Sequence, residues 1–156
     1  MAYVELTKDK KAIVDDDCFE LLSQYKWYYA NSAGGYAYTT VGGRKDRKNI
    51  AMHRLISNPG GGQEVDHING NRLDNRRSNL RNCTRTQNIG NSVGYSKTSN
   101  YKGVEKMKSG FKARIGMNYK TVYLGFFKTE DEAALAYNEA AKKHYGEFAK
   151  LNEVTI

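Results

Sequence analysis

The chain has 156 residues, 25 Lys or Arg against 17 Asp or Glu, and a formal charge of +8. That length holds one domain or two small ones, and that charge favours a polyanionic partner over a neutral small molecule. No apolar run approaches a membrane span and the first residues lack a signal-peptide core, so a soluble, cytoplasmic protein that meets no membrane is expected.

Val4 to Leu6 and Lys11 to Val14 read as short strands around Lys8-Asp9-Lys10, a hairpin. Asp15-Asp16-Asp17 is placed to cap a short helix through Leu22, with acids at its positive end. Lys26 to Tyr29 and Tyr36 to Thr40 read as strands around Gly34-Gly35, and Trp27, Tyr28, Tyr29, Tyr36 and Tyr38 suit core packing better than base stacking. The basic loop Arg44 to Lys48 is either solvated or set against phosphate. Ile50 to Ile56 carries His53 in an apolar setting, where a lone histidine is more often structural than a ligand. Cys18 and Cys83 form no CxxC pair and no zinc spacing with the histidines, so both are read as buried or free thiols.

Glu64 to Asn91 is the stretch around which the chain is organised. A β-type run, Gln63 to His67, ends in Asp66-His67 and meets a tight turn at Asn69-Gly70. A second run, Leu80 to Cys83, leads into Thr84-Arg85-Thr86-Gln87, which reads as a capping box opening a helix with Asn88 just after its first turn. A hairpin followed by a helix can bring together Asp66, His67 and Asn88. Asp66 and the amide oxygen of Asn88 are hard donors suited to Mg²⁺, with Mn²⁺ as the alternative. His67 titrates near neutrality and can take a proton from water. Arg72, Arg76, Arg77, Arg81 and Arg85 crowd the stretch after it, which suits the charge of a phosphodiester.

The VDHING run at Val65 to Gly70, the LDNRRSNLR run at Leu73 to Arg81 and Gln87-Asn88 together resemble the HNH endonucleases with a ββα-metal motif, most of all the phage and intron-encoded homing type. The segment AMHRLIS resembles what precedes the motif there. The resemblance implies His67 as general base, Asp66 and Asn88 as metal ligands, and Asn79 as the residue that holds the loop and orients the base. Asn88 stands where the family name has its last histidine, which makes a transition-metal preference weaker.

Residues 90–100, GNSVGYSKTSN, have linker composition. Beyond them, Tyr101 to Met107, Phe111 to Met117 and Thr121 to Phe126 read as three strands with turns at Ser109-Gly110 and Asn118. Thr129 to Glu132 is a second capping box, opening a helix with a stripe of Ala133, Ala136, Tyr137, Ala140 and Ala141 that ends at Gly146. Residues 101–128 carry +6 and residues 129–156 carry −3, so the positive charge lies on the strands. The YKGV, FKARI and VYLGFF runs and the helix resemble the ethylene-response-factor (APETALA-type) DNA-binding domain. That resemblance implies a sheet in the major groove with contacts from Lys102, Phe111, Arg114 and Tyr123. Glu105 departs from it, standing in place of a basic contact.

The expectation is an α+β protein: an HNH nuclease domain at 1–92, a linker at 93–100, and a DNA-binding domain at 101–156. It would hydrolyse double-stranded DNA with a divalent metal, as a monomer or a dimer. Arg76, Arg77, Arg81, Arg85, Lys102, Lys112, Arg114, Lys120 and Tyr123 are the candidate DNA contacts. The rival readings are a DNA-binding regulator with a silent nuclease motif and an RNA-binding protein.

Overall fold

The computed structural model describes residues 1–32, 34–92, 98–117 and 120–154; the turn expected at Asn118 and residues 93–97 of the expected linker lie outside them. The fold is α+β, with four helices and four small antiparallel sheets among the described residues. The chain divides into two compact units, Met1–Thr84 and Arg85–Ile156.

In the first unit β1 (Ala2–Glu5) and β2 (Lys11–Val14) form the expected hairpin, with Lys8 and Asp9 at positive φ in its turn. The helix α1 (Asp16–Ser23) follows and buries Cys18 and Leu22. Asp15 sits at its N-cap without capping it through the side chain. That carboxylate accepts instead from the backbone N–H of Arg77, 2.8 Å away. β3 (Trp27–Ala30), β4 (Tyr36–Val41) and β5 (Lys48–Ala51) make one sheet, and α2 (Met52–Ser57) packs against β4, β6 and β7. Ala51 ends the strand, and the apolar residues Met52 and Leu55 continue at helical spacing, with Met52 fully buried. Val4, Val14, Leu22, Trp27 and Met52 form the core, and the Trp27 indole donates to the Leu22 carbonyl.

The hairpin β6 (Glu64–His67) and β7 (Leu80–Cys83) pairs Asp66 with Arg81 and His67 with Leu80. The loop between them is stitched to β2: Ile13 donates to the Leu73 carbonyl and the Asn75 N–H donates to the Ile13 carbonyl, both at 2.8 Å. A loop of this length would be costly to order on its own. Here the N-terminal hairpin does the ordering.

The second unit opens with α3 (Arg85–Asn91), followed by β8 (Val104–Met107), β9 (Gly110–Met117) and β10 (Lys120–Phe127) in the order β10-β9-β8. α4 (Glu130–Tyr145) covers one face of this sheet, burying Ala133, Ala134, Tyr137, Ala141 and Tyr145. Its capping box forms as expected, with Thr129 Oγ1 accepting from Glu132 N and Glu132 Oε2 accepting from Thr129 N. The small residues of the stripe let the helix lie close. At Gly103, held at φ 76°, a Cβ would come within 2.1 Å of the Tyr137 ring, so no other residue fits there.

Candidate functional site

The Asp66-His67 pair ends β6, and both side chains are buried, 5 % and 4 % exposed. Asp66 faces its cross-strand partner: Arg81 Nε and a terminal nitrogen donate to Asp66 Oδ2 at 2.9 and 2.8 Å. A carboxyl group this deep needs a polar partner, and Arg81 supplies it. Arg81 therefore holds a candidate metal ligand.

His67 sits in a cluster of rings. Its centroid lies 5.1 Å from that of His53 and 5.8 Å from that of Tyr36, while His53 and Tyr36 are 5.0 Å apart. The Arg72 guanidinium lies over the Tyr36 ring, 4.9 Å from its centroid, and donates to the Gly34 carbonyl. Burial pulls the His67 pKa below its ordinary value, opposed by a hydrogen bond to Asn75 and by the charge of Asp66. Burial and the neighbouring His67 drive His53 down to about 3, so it is a neutral ring at working pH. The sequence pattern places His53 outside the site, yet its ring packs on His67.

The hydrogen-bond partner of His67 Nε2 is Asn75 Oδ1, 3.2 Å away, a residue that by sequence alone reads as turn material. Asn79, expected to hold the loop and orient the base, bonds within the loop. Its Oδ1 accepts from Asn69 N at 3.0 Å and its Nδ2 donates to the Asp74 carbonyl at 2.8 Å. Asp74 is buried and neutralised by Arg76, whose Nε and terminal nitrogen reach its two oxygens at 2.8 and 2.6 Å, with Asn69 Nδ2 adding a third bond. These bonds hold the Asp74 carboxyl below the usual carboxylate range. The asparagine-rich loop is a closed polar network, and its spacing looks like that of ordinary turns.

The candidate DNA contacts separate into two groups. Arg76 is taken by Asp74, Arg81 by Asp66, and Arg77 by Asp17 at 2.5 Å, so these three are bound into the protein's own framework. Among the described residues, Asp15, Asp17 and Cys18 bring three ligand-type atoms within 4.8 Å of one another, and Arg77 accounts for that grouping. The Lys102 ammonium donates to the Ile89 and Gly90 carbonyls at 3.1 and 2.7 Å, and burial pushes its pKa down to about 8. It closes the C-terminal end of α3, and the position assigned to DNA contact is a helix cap.

Lys112, Arg114 and Tyr123 do share a face. Arg114 is paired across the sheet with Tyr123, and Lys112 with both Glu105 and Phe126. They alternate with the buried Ala113 and Ile115, so they point away from α4, and Tyr123 is 59 % exposed. Lys120 pairs with Met117 and has the parity of the helix-covered side, where it is exposed at the strand end. Arg85 is exposed at the start of α3, which also carries Asn88.

Both thiols are shut away. Burial raises the Cys18 pKa and pushes Cys83 up to about 11, so neither offers a thiolate to a metal. Oxygen and imidazole are the available donors.

Comparison with known proteins follows the same lines. The sequence pattern of the HNH endonuclease family matches residues 58–89, which span β6, the Asn-rich loop, β7 and the Asn88 segment. An uncharacterised HNH endonuclease of Acanthamoeba polyphaga mimivirus is 35 % identical over 150 residues, covering 92 % of this chain and 75 % of that protein. No solved structure matches the chain. With the motif residues placed on a β-hairpin and its loop, and with that relative aligned along nearly the whole of this sequence, the chain belongs to the HNH endonuclease family.

Proposed function

We propose that the protein hydrolyses phosphodiester bonds of double-stranded DNA with the help of a divalent metal, as a site-selective nuclease of the homing type. The observation that carries this is the buried pair at the end of β6: an imidazole whose pKa burial lowers, beside a carboxylate paired with Arg81. A neutral imidazole can accept a proton from water, and that is the role of His67.

Asp66 and Asn88 are the proposed ligands. A carboxylate and an amide oxygen form a hard donor pair, and the closed-off thiols leave no soft competitor, so the set fits Mg²⁺ or Mn²⁺. When bound, such an ion stabilises the charge on the phosphate and the leaving oxygen. Arg81 orients Asp66 for it, and Asn79 keeps the loop beneath the base in shape.

The second unit supplies DNA affinity through the open face of its sheet, in the manner of the ethylene-response-factor domain. Lys112 and Arg114 bring charge, Tyr123 an exposed ring, and Arg85 and Lys120 add to the field. The test is supercoiled plasmid incubated with the protein in Mg²⁺ or in chelator. Nicked or linear product in Mg²⁺ alone supports the nuclease. Retardation of the plasmid without any cleavage would point to a DNA-binding regulator instead.

A further inference from the structure

Asn75 is 0 % exposed, yet half of its amide serves no structural purpose. Its Oδ1 faces His67 Nε2 at 3.2 Å, while its Nδ2 has no hydrogen-bond partner among the described residues. A buried donor left unmade costs roughly 1–3 kcal/mol, and an apolar side chain of the same size would avoid that cost. Stability therefore does not explain an asparagine here. Its backbone is also fixed independently of the side chain, because Asn75 N donates to the Ile13 carbonyl and the flanking Leu73 carbonyl accepts from Ile13 N. The neighbouring Asp74 is neutralised by Arg76 and hydrogen-bonded by Asn69, so the loop's fold does not depend on the Asn75 amide either.

What the amide oxygen can do is chosen by its partner. Two facing lone pairs repel, so an oxygen at this distance requires a proton on Nε2. The neutral ring then carries its hydrogen on Nε2 and presents Nδ1 as the nitrogen able to accept one. We propose that Asn75 is a positioning residue for the nuclease reaction: it holds His67 in the Nε2–H tautomer and fixes the plane of its ring, so that Nδ1 is the proton-accepting atom. This rests on the reading of His67 as general base. Tyr36 and His53 confine the same ring by packing, which limits its tilt but cannot select a tautomer. Asn75 does the selecting. The device leaves the base correctly protonated before substrate arrives, with no reorganisation needed when the water is deprotonated.

The test uses the full-length chain with ¹⁵N-labelled histidine, reading the two ring nitrogens of neutral His67 by long-range proton correlation. The expected wild-type spectrum shows a protonated Nε2 and a bare Nδ1. Asn75→Leu should mix the tautomers and lower single-turnover cleavage at saturating DNA by roughly 10- to 100-fold, the usual loss when a histidine's orienting partner is removed. Asn75→Asp keeps an acceptor against Nε2–H and should restore both the tautomer and most of the rate. A wild-type ring protonated on Nδ1 would overturn the proposal, and that measurement needs no variant to fold. So would an unchanged tautomer and rate in Asn75→Leu. Cleavage that survives His67→Ala would overturn the base assignment itself, a result separate from either of these.

Discussion

At the scale of single residues, the candidate site combines groups whose chemistry the sequence shows with groups whose role only packing reveals. Asp66 and His67 could be named from residue type and spacing, because a carboxylate beside an imidazole before an Asn-Gly turn is an unusual combination, and Asn79 from the family resemblance. His53, Tyr36 and Asn75 could not. Each comes from a different element, and nothing local in sequence distinguishes a ring that packs on His67 from one that fills a core. The buried histidines have a measurable consequence. His53 is neutral in the folded state down to about pH 3 but takes a proton below about 6.5 when unfolded. Between those values the unfolded state binds more protons, so stability rises with pH and is lost as pH falls through the window. The slope is on the order of 1.4 kcal/mol per pH unit for one such group, and His67 pulls in the same direction. Urea denaturation at about pH 7 and about pH 5 should show this loss, and His53→Phe should reduce it. Equal pH slopes for the two proteins would show that the buried His53 ring is not what titrates.

At the scale of elements, the strands and the long helix were largely legible. Alternation at Lys112, Ala113, Arg114 and Ile115 marks a two-faced strand, and Thr129 with Glu132 marks a helix start. The role of Lys102 was not legible. A lysine in a basic stretch reads as a phosphate contact, yet its partners are the Ile89 and Gly90 carbonyls at the end of α3. The seven-residue α3 is too short to stand alone, and Lys102, Lys150 N on the Gly90 carbonyl, and the Tyr145 ring against Gly90 all hold it. Lys102→Met should therefore cost about 1–3 kcal/mol of stability and leave the salt dependence of DNA binding unchanged. Arg114→Ala should do the reverse: stability within about 0.5 kcal/mol of wild type, and a salt slope smaller by roughly 0.9 for each phosphate that Arg114 neutralises. Denaturation curves and binding isotherms over a range of salt separate the two. A flattened slope in Lys102→Met would return that residue to the DNA surface.

At the scale of the whole molecule, the charge distribution was visible in the sequence, with +6 on residues 101–128 and −3 on residues 129–156. The division of structure was less so, because the composition shift at residues 90–100 suggests a boundary after the motif helix, whereas α3 packs within the second unit. A chain ending at Ser92 should accordingly lose more than DNA affinity. Without β8–β10 and α4, α3 is deprived of the elements that hold it, and cleavage in Mg²⁺ should fail even at DNA concentrations that saturate the truncated chain. Full single-turnover activity in that chain would show that the second unit is dispensable to the catalytic centre. The claim on which the functional reading rests is that His67 is the base, and one comparison addresses it most directly. Single-turnover cleavage of duplex DNA in Mg²⁺ is measured for wild type and His67→Ala, with the affinity of each for the same DNA. The expected result is equal affinity and a rate lower by on the order of 10²–10⁴ in the variant. Wild-type cleavage by His67→Ala at equal affinity would contradict it.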